Sequence, residues 1–285
     1  VYFDVSKSPD FGSVSHYDAD TMLEYARERG GNVDDPHKRS PLDFVLWQPS
    51  LPDEPSWDTL WGPGRPGWHI ECSALALREL GTTIDLHGGG GDLIFPHHAC
   101  EIAQAEPLTG AQPWVRFWMH TAMVRMDGEK MSKSLGNLVL VRDLLTQHEP
   151  DAVRLYLLRH HWRHPWEWSR ERFDACAAPV AALHAARRRP SGAGRPIDFA
   201  SFGPRATAAL DDDLDTPSAV ETVLALADAI LDAPSGADVR PAQDVLEAIG
   251  HRVLGLWLRP LAEIAPSDLP SWPPPTIAPP DVERA

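Results

Sequence analysis

The sequence predicts an α/β segment followed by an all-α helical bundle, and three patterns carry this prediction. Between residues 62 and 150, strand-like apolar runs alternate with helical periodicity and glycine turns, which is typical of a parallel sheet with ligands at its strand ends. From residue 171 to about 258 the apolar positions recur at helical spacing, with Gly, Pro and Ser interrupting at 188–196 and 234–241. Residues 259–285 are proline-rich without periodicity, which predicts an unstructured tail.

The elements follow in chain order. Residues 1–62 predict a peripheral connective subdomain with strands over 2–5 and 42–47 and a helix over 19–29, capped near Asp18 and closed by Gly30. Residues 63–150 predict the α/β segment: a helix over 68–80, a strand over 83–86, a glycine turn over 88–91 and a helix opening at Pro96, a residue suited to a first helical turn. An amphipathic helix starts at Asp151, so the predicted segments are 1–62, 63–150, 151–258 and 259–285.

Composition limits the class of protein. The chain has 285 residues with 43% hydrophobic content, enough for one large or two modest cores. It contains no run of about 20 apolar residues and no basic-then-apolar start, so we expect no membrane span, no signal peptide and a cytoplasmic location. Three cysteines disfavour a disulfide scaffold, and a net charge of −15 disfavours non-specific nucleic-acid coating. The first residue is Val rather than Met, which suggests a fragment.

A lysine-rich segment lies between two apolar runs, at residues 127–137. It predicts a mobile loop between a strand and a helix, with Lys130 and Lys133 as point charges beside small hydroxyl residues. Such a loop suits the binding of phosphate groups during their transfer. The alternative is an ordinary solvated basic loop.

A second set of residues has the chemistry of a zinc site. His97 and Glu101 are four residues apart, so a helix would place both on one face, and Cys72 lies on the preceding helical segment. Each also has a structural explanation: a buried apolar thiol, a polar residue at a helix start and a solvated carboxylate. A fourth ligand is open, and Cys100 is a geometrically awkward candidate.

Together these motifs resemble cysteinyl-tRNA synthetase, a class I aminoacyl-tRNA synthetase, across residues 1 to about 258. The resemblance rests on Gly64–Ala74, Asp85–Gly90, Asp92–His98, Glu101–Gln104, the Lys-Met-Ser-Lys-Ser loop and Asp211–Pro217. It implies the second half of a Rossmann-like catalytic domain followed by a helical stem-contact region. The reaction implied is ATP-dependent activation of cysteine and its transfer to tRNA(Cys).

The resemblance also implies roles for individual residues. One zinc ion per chain would be bound by Cys72, His97 and Glu101 and would recognise the substrate thiol. Cysteine would be contacted by Trp68, His87 and Asp92. ATP, with Mg²⁺, would be bound by Gly89, Asp92, Lys130, Met131, Ser132, Lys133 and Ser134, of which Lys130 and Lys133 would be catalytic.

Three departures from that family qualify the resemblance. The His-Ile-Gly-His signature and an N-terminal cysteine ligand are absent from these residues, which suggests a missing N-terminal half or a partner that supplies it. Ala99-Cys100 replaces the usual Glu-Asn beside the ligand glutamate. The anticodon-reading domain is replaced by the proline-rich tail.

Two other functions stay open. Residues 17–23, 28–31 and 137–141 look more like the cysteine:glucosaminyl-inositol ligase of mycothiol synthesis, which delivers cysteine to a sugar amine. Glu101, His87 and residues 134–137 look more like the synthetase, and the balance favours tRNA charging. The third possibility is a non-catalytic binding module, a prediction that fails if the upstream sequence contains His-x-Gly-His.

Overall fold

The computed structural model describes residues 1–131 and 135–264, so most of the predicted tail lies outside the described residues. The chain forms two compact units, residues 1–123 with 163–165, and residues 124–162 with 166 onward. This division falls inside the segment 63–150, and the four-segment division stays a prediction. Across the described ranges, no helix is both long and apolar enough to cross a membrane.

The first unit begins with small elements. These are β1 (Tyr2–Phe3), short 3₁₀ turns at Val5–Lys7 and Ser13–Ser15, α1 (Ala19–Glu28), β2 (Phe44–Val45), β3 (Trp47–Gln48) and β4 (Arg65–Pro66). Helix α1 starts where predicted, because the Asp18 carboxylate accepts a hydrogen bond from the Thr21 N–H at 2.8 Å. The strand predicted over 42–47 is divided between β2, which pairs with β1, and β3, which pairs with β4.

A parallel βαβ unit follows, built from α2 (Trp68–Leu80), β5 (Ile84–Gly90), α3 (Ala99–Thr109) and β6 (Val115–Thr121). Strands β5 and β6 pair in register from Ile84 with Val115 to Gly90 with Thr121. The glycine turn predicted over 88–91 is therefore wrong for its first three residues, which continue the strand. Glycine is extended there because the backbone pairs with β6 and needs no turn.

Helix α3 begins at Ala99 rather than at Pro96. A wide helical turn over Ile94–His98 precedes it, and Phe95 within this turn is extended, with φ −141° and ψ 136°. That break points the Phe95 side chain into a core with Ala26, Val33 and Ala99. The hydrophobic contact overrides the helix start that proline favours.

The second unit opens with a three-stranded sheet of β7 (Val124–Met126), β8 (Glu129–Lys130) and β9 (Trp166–Glu167). Asp127 and Gly128 both have positive φ, 54° and 81°, which is the backbone of a two-residue type I′ hairpin. The predicted loop is thus a strand pair at its start, and Lys130 pairs with Arg125. Ser132, Lys133 and Ser134 lie outside the described residues.

Helices make up most of the rest of this unit. They are α4 (Val141–Leu144), α5 (Pro150–Leu158), α6 (Arg170–Asp174), α7 (Ala177–Arg188), α8 (Phe202–Asp211), α9 (Thr216–Leu231) and α10 (Arg240–Leu246), with further helical turns at Glu247–Val253 and Leu261–Glu263. Their apolar faces share one core, which includes Leu155, Leu183 and Leu226. The helical periodicity of the sequence therefore marks the buried faces.

Asp151 lies buried inside this helical core. Its carboxylate accepts hydrogen bonds from the Trp257 and Leu258 N–H groups at 2.6 and 2.9 Å, and His184 Nε2 lies 2.9 Å from Oδ2. Both carboxylate oxygens are therefore satisfied. The residue fastens the segment after α10 to α5 and α7.

Candidate metal centre

The three predicted zinc ligands come together in the first unit. Cys72 is on α2, His97 is in the turn before α3, and Glu101 is in the first turn of α3. One ligand atom from each lies within 4.8 Å of the others. The i, i+4 spacing and the packing of α2 against α3 produce this set.

Glu101 has the environment expected of a metal ligand. Its side chain is fully buried, and its Oε1 has no hydrogen-bond partner among the described residues. His97 Nε2 lies 3.7 Å from Oε1, which is close to the roughly 3.4 Å that separates two ligands of a tetrahedral zinc ion with bonds of about 2.1 Å. A buried, open carboxylate oxygen beside an imidazole and a thiol fits a zinc ion.

The protonation of the metal-free set follows from its burial. Burial lowers the pKa of His97, and the neighbouring Glu101 opposes that shift. Burial also raises the pKa of the Cys72 thiol, with a further contribution from Glu101. The imidazole is neutral and ready to ligate at neutral pH, whereas the thiol must lose a proton when a metal binds.

Four further histidines flank this set, and with His97 they form what we call the imidazole row: His69, His97, His87, His98 and His120. His69 Nδ1 lies 2.9 Å from His97 Nδ1, and His98 Nδ1 lies 2.7 Å from His120 Nε2. Between these pairs, His87 Nε2 lies 3.0 Å from Glu101 Oε2. Glu101 therefore has one oxygen held by the row and one left open.

Burial keeps two imidazoles of the row, those of His69 and His98, neutral. Burial, reinforced by neighbouring imidazoles, lowers the pKa of His69 to about 4 and that of His98 to about 3. Neutral rings can each donate through one nitrogen and accept through the other. This property allows His69 to orient His97, as partners behind metal ligands commonly do.

A glycine on β5 makes room for the row. A Cβ on Gly89 would lie 2.9 Å from His98 Cε1 and 2.9 Å from Leu93 Cδ1. Because side chains alternate along a strand, His87 and Gly89 share the face that also carries Trp118 and His120 of β6. The glycine leaves this face open for His98.

Trp68 and Cys100 lie differently with respect to this centre. The Trp68 ring stacks on His97 with centroids 4.5 Å apart and is 52% exposed, so it borders the metal set, and its contact with cysteine stays a prediction. Cys100 is fully buried with Phe44 and Ala103, and burial raises the pKa of its thiol well above the ordinary value. It is not among the metal-ligating groups formed by the described residues.

The other predicted site residues are distributed more widely. His87 lies within β5 and joins the metal centre through Glu101, rather than ending a strand. Asp92 follows the end of β5, near Gly90. Lys130 and Met131 belong to the second unit, and the roles of Gly89, Asp92, Lys130 and Met131 in binding ATP stay predictions.

Sequence reasoning missed His69, His98 and His120. His69 follows Trp68 and His98 follows His97 directly, so each lay beside a residue that was singled out. His120 is in an apolar strand and gives no local signal, because its pairing with His98 depends on the β5–β6 register. The second possible metal group, His87, His98 and Glu101, shares Glu101 with the first.

Comparison with known proteins places this chain in a family. The profile of the tRNA synthetases class I (C) catalytic domain matches residues 1–178. An L-cysteine:1D-myo-inositol 2-amino-2-deoxy-alpha-D-glucopyranoside ligase of Nakamurella multipartita is 48% identical over 248 residues, covering 86% of this chain and 59% of the relative. A cysteine--tRNA ligase of Pelotomaculum thermopropionicum is 46% identical over 244 residues, covering 80% of this chain and 48% of the relative.

A solved structure shares the fold. LeuRS of Agrobacterium radiobacter K84, in a ternary complex with tRNA and LeuAMS, superposes with a TM-score of 0.51 at 15% identity, covering 69% of this chain and 32% of that one. The chain spans about half to three fifths of the length of the two ligases described above. On the profile match over residues 1–178, the chain belongs to the class I tRNA synthetase family, in the group described as the (C) catalytic domain.

Proposed function

We propose that this chain carries the cysteine site of an ATP-dependent cysteine ligase. The observation that carries the proposal is the buried, open Oε1 of Glu101 beside Cys72 and His97, in a chain whose relatives are named as cysteine ligases. One zinc ion at these residues would bind the substrate thiolate. Zinc prefers a thiolate to a hydroxyl, so this donor set supports selection of cysteine over serine.

The chain's own residues would prepare the site. His69 holds His97 through Nδ1, which leaves Nε2 for the metal, and His87 holds the second oxygen of Glu101. Trp68 would cover the cysteine from the exposed side. In the first reaction the cysteine carboxylate attacks the α-phosphate of ATP with Mg²⁺, and cysteinyl-adenylate and pyrophosphate form. Lys130 and Lys133 would stabilise the charge on pyrophosphate.

Two acceptors have specific support. Glu101 and His87, the residues that favour tRNA(Cys) in the sequence, support tRNA charging. Residues 28–31 and the 48% identity to the Nakamurella relative support the amine of an amino sugar joined to inositol. Both acceptors would receive the same activated cysteine. The two functions would therefore use the same metal centre and differ in the acceptor that binds next to it.

The first experiment tests the cysteine site in this 285-residue chain after cobalt(II) replaces zinc. Cysteine should add a sulfur-to-cobalt charge-transfer band to the visible and near-ultraviolet spectrum, and serine should not. The Cys72→Ser variant should lose the cobalt spectrum, whereas Cys100→Ala should retain it. A cobalt-loaded chain that gives no response to cysteine would overturn the proposal.

The second experiment identifies the reaction. The zinc-loaded chain, and the parent protein where a longer one is encoded, are assayed for cysteine-dependent exchange of pyrophosphate into ATP. Mass spectrometry then detects cysteinyl-tRNA or the cysteinyl amide after each acceptor is added. Lys133→Ala should slow the exchange without changing zinc content, and unchanged exchange would contradict the role given to Lys133.

A further inference from the structure

A cavity of about 270 Å³ lies in the second unit, where the end of α5 packs against α6. We call it the arginine cavity, and it is lined by Tyr156, Arg159, His160, Arg172 and Ala175. Two of these residues carry a guanidinium group, and none carries a carboxylate. Arginines that converge on a space without a carboxylate are typical of anion sites.

Arg159 follows the last residue of α5, and the chain satisfies its guanidinium only in part. Its Nε is buried and has no hydrogen-bond partner in the described ranges. Its Nη1 lies 3.8 Å from the sulfur of Cys176, a weak acceptor whose thiol pKa is raised by burial. Arginines at a helix end commonly donate to the last carbonyls of the helix, but the contact of Arg159 is to this neutral thiol. The charge of Arg159 is therefore left without a strong acceptor.

Arg172 on α6 brings the second guanidinium to the cavity. Its backbone N–H donates to Ser169, but its guanidinium has no ion pair or hydrogen bond with any residue that the structure describes. Arg170 on the same helix differs, because its Nε donates to both oxygens of Asp174 at 2.9 and 3.1 Å. Asp174 is therefore bonded to an arginine that does not line the cavity.

His160 adds no charge to the cavity at neutral pH. Its Nδ1 lies 2.8 Å from the Tyr156 carbonyl oxygen, so this nitrogen carries the proton and donates it. Burial lowers the pKa of His160, the bond to Tyr156 opposes that shift, and the charges of Arg172 and Arg159 lower the pKa further. The lining residues consequently carry two positive charges and no negative one.

This charge is unusual for the chain and defines the anion that fits. Two like charges beside one cavity repel each other unless an anion lies between them. Acidic residues outnumber basic ones by 41 to 26, yet none of them lines this cavity. Two guanidinium groups balance one dianion, and their forked N–H groups match the oxygens of a phosphate. A nucleic-acid backbone would need a broader basic surface, which does not fit a net charge of −15.

We propose that the arginine cavity binds the dianionic phosphate group of a small molecule, either a phosphate monoester or inorganic phosphate. Arg159 and Arg172 would each donate to phosphate oxygens, and the buried Nε of Arg159 would gain an acceptor. The inference does not rest on the proposed function, because no residue of the metal centre takes part in it.

The test is calorimetric titration of inorganic phosphate, and separately of methyl phosphate, into the 285-residue chain at low ionic strength. A pH of about 8 keeps both ligands dianionic. Saturable binding of either supports the proposal, and the tighter of the two identifies the source of the phosphate. Arg159→Gln and Arg172→Gln should each weaken binding about tenfold, a typical effect of losing hydrogen bonds to a charged ligand. Arg170→Gln is the matched control and should bind like the parent chain.

Two further measurements make the result decisive. Dimethyl phosphate, a monoanion like the nucleic-acid backbone, should bind at least about tenfold more weakly than methyl phosphate. Phosphate should raise the thermal unfolding temperature of the parent chain but not that of the Arg159→Gln/Arg172→Gln double variant. Arg172 is exposed, so Arg172→Gln alone serves if the double variant does not fold. A parent chain that binds neither dianion, full binding by the variants, or equal binding of dimethyl phosphate overturns the inference.

Discussion

Asp151 and Glu101 are both buried carboxylates that contact a histidine, but they differ in how many of their oxygens accept hydrogen bonds from the protein. Asp151 in the second unit is bonded through both oxygens, to His184 and to the N–H groups of Trp257 and Leu258. Glu101 in the first unit is bonded through Oε2 to His87, while its buried Oε1 has no partner in the described ranges. Most buried polar groups in folded proteins have a hydrogen-bond partner. The two oxygens of Asp151 are satisfied within the protein and stabilise the fold, whereas Oε1 of Glu101 lies beside a thiol and an imidazole, which together fit a metal ion.

The largest effect should come from breaking the satisfied carboxylate. Asp151→Ala leaves two buried N–H groups and His184 without their acceptor, which should lower the free energy of unfolding by about 3–5 kcal/mol. Urea unfolding monitored by circular dichroism measures this loss. Asp198→Ala, at an exposed position, is the control and should change stability by less than about 0.5 kcal/mol. Equal effects of the two variants would contradict the architectural role of Asp151.

A substitution of Glu101 should affect zinc binding strongly and stability little. Glu101→Gln keeps an oxygen for the His87 contact, so the metal-free chain should lose less than about 1 kcal/mol of stability. Zinc binding should nevertheless fail, because the amide carries no charge for the cation. Zinc content by atomic absorption and urea unfolding of the metal-free protein give the two values. A variant that keeps stoichiometric zinc would show that Glu101 is not a ligand.

A smaller effect is expected from His87, which contacts the predicted ligand Glu101 rather than the metal. His87→Ala removes the imidazole that holds Glu101 Oε2 at 3.0 Å, which should weaken zinc binding by about 10–100-fold without abolishing it. Competition with a coloured chelator measures this affinity. His37→Ala, an exposed histidine of the same unit, should leave zinc affinity unchanged. If both variants bound zinc like the parent chain, the imidazole row would have no orienting role.

The smallest effect concerns the hairpin turn of the second unit, at Asp127 and Gly128. Gly128 has φ of 81°, so Gly128→Ala should destabilise this unit by about 1 kcal/mol. Gly203→Ala is the control, since a Cβ there meets nothing within 4 Å and its φ is not positive. That change should be neutral or slightly stabilising in α8. Thermal unfolding of the two variants distinguishes a backbone effect from a general intolerance of alanine.

Local sequence patterns predicted the features of the fold and of the centre that depend on neighbouring residues. A few neighbouring residues are enough to predict the Asp18 cap, the helix over 68–80 and the spacing of His97 and Glu101. The continuation of β5 through Gly90 was not predictable in this way, because it depends on pairing with residues 119–121. Two partners of Asp151, the N–H groups of Trp257 and Leu258, are more than a hundred residues away, so no periodicity could have indicated them.

Gly89 gives this centre a signature that could be sought in natural variation. A side chain at position 89 would collide with His98 and Leu93, so the two positions are not free to vary independently. Chains that keep the histidine should keep the glycine, and chains that acquire a larger residue at 89 should have replaced His98 as well. The presence of this pair in a newly read genome would thus separate chains with an intact centre from diverged copies, before any protein is made.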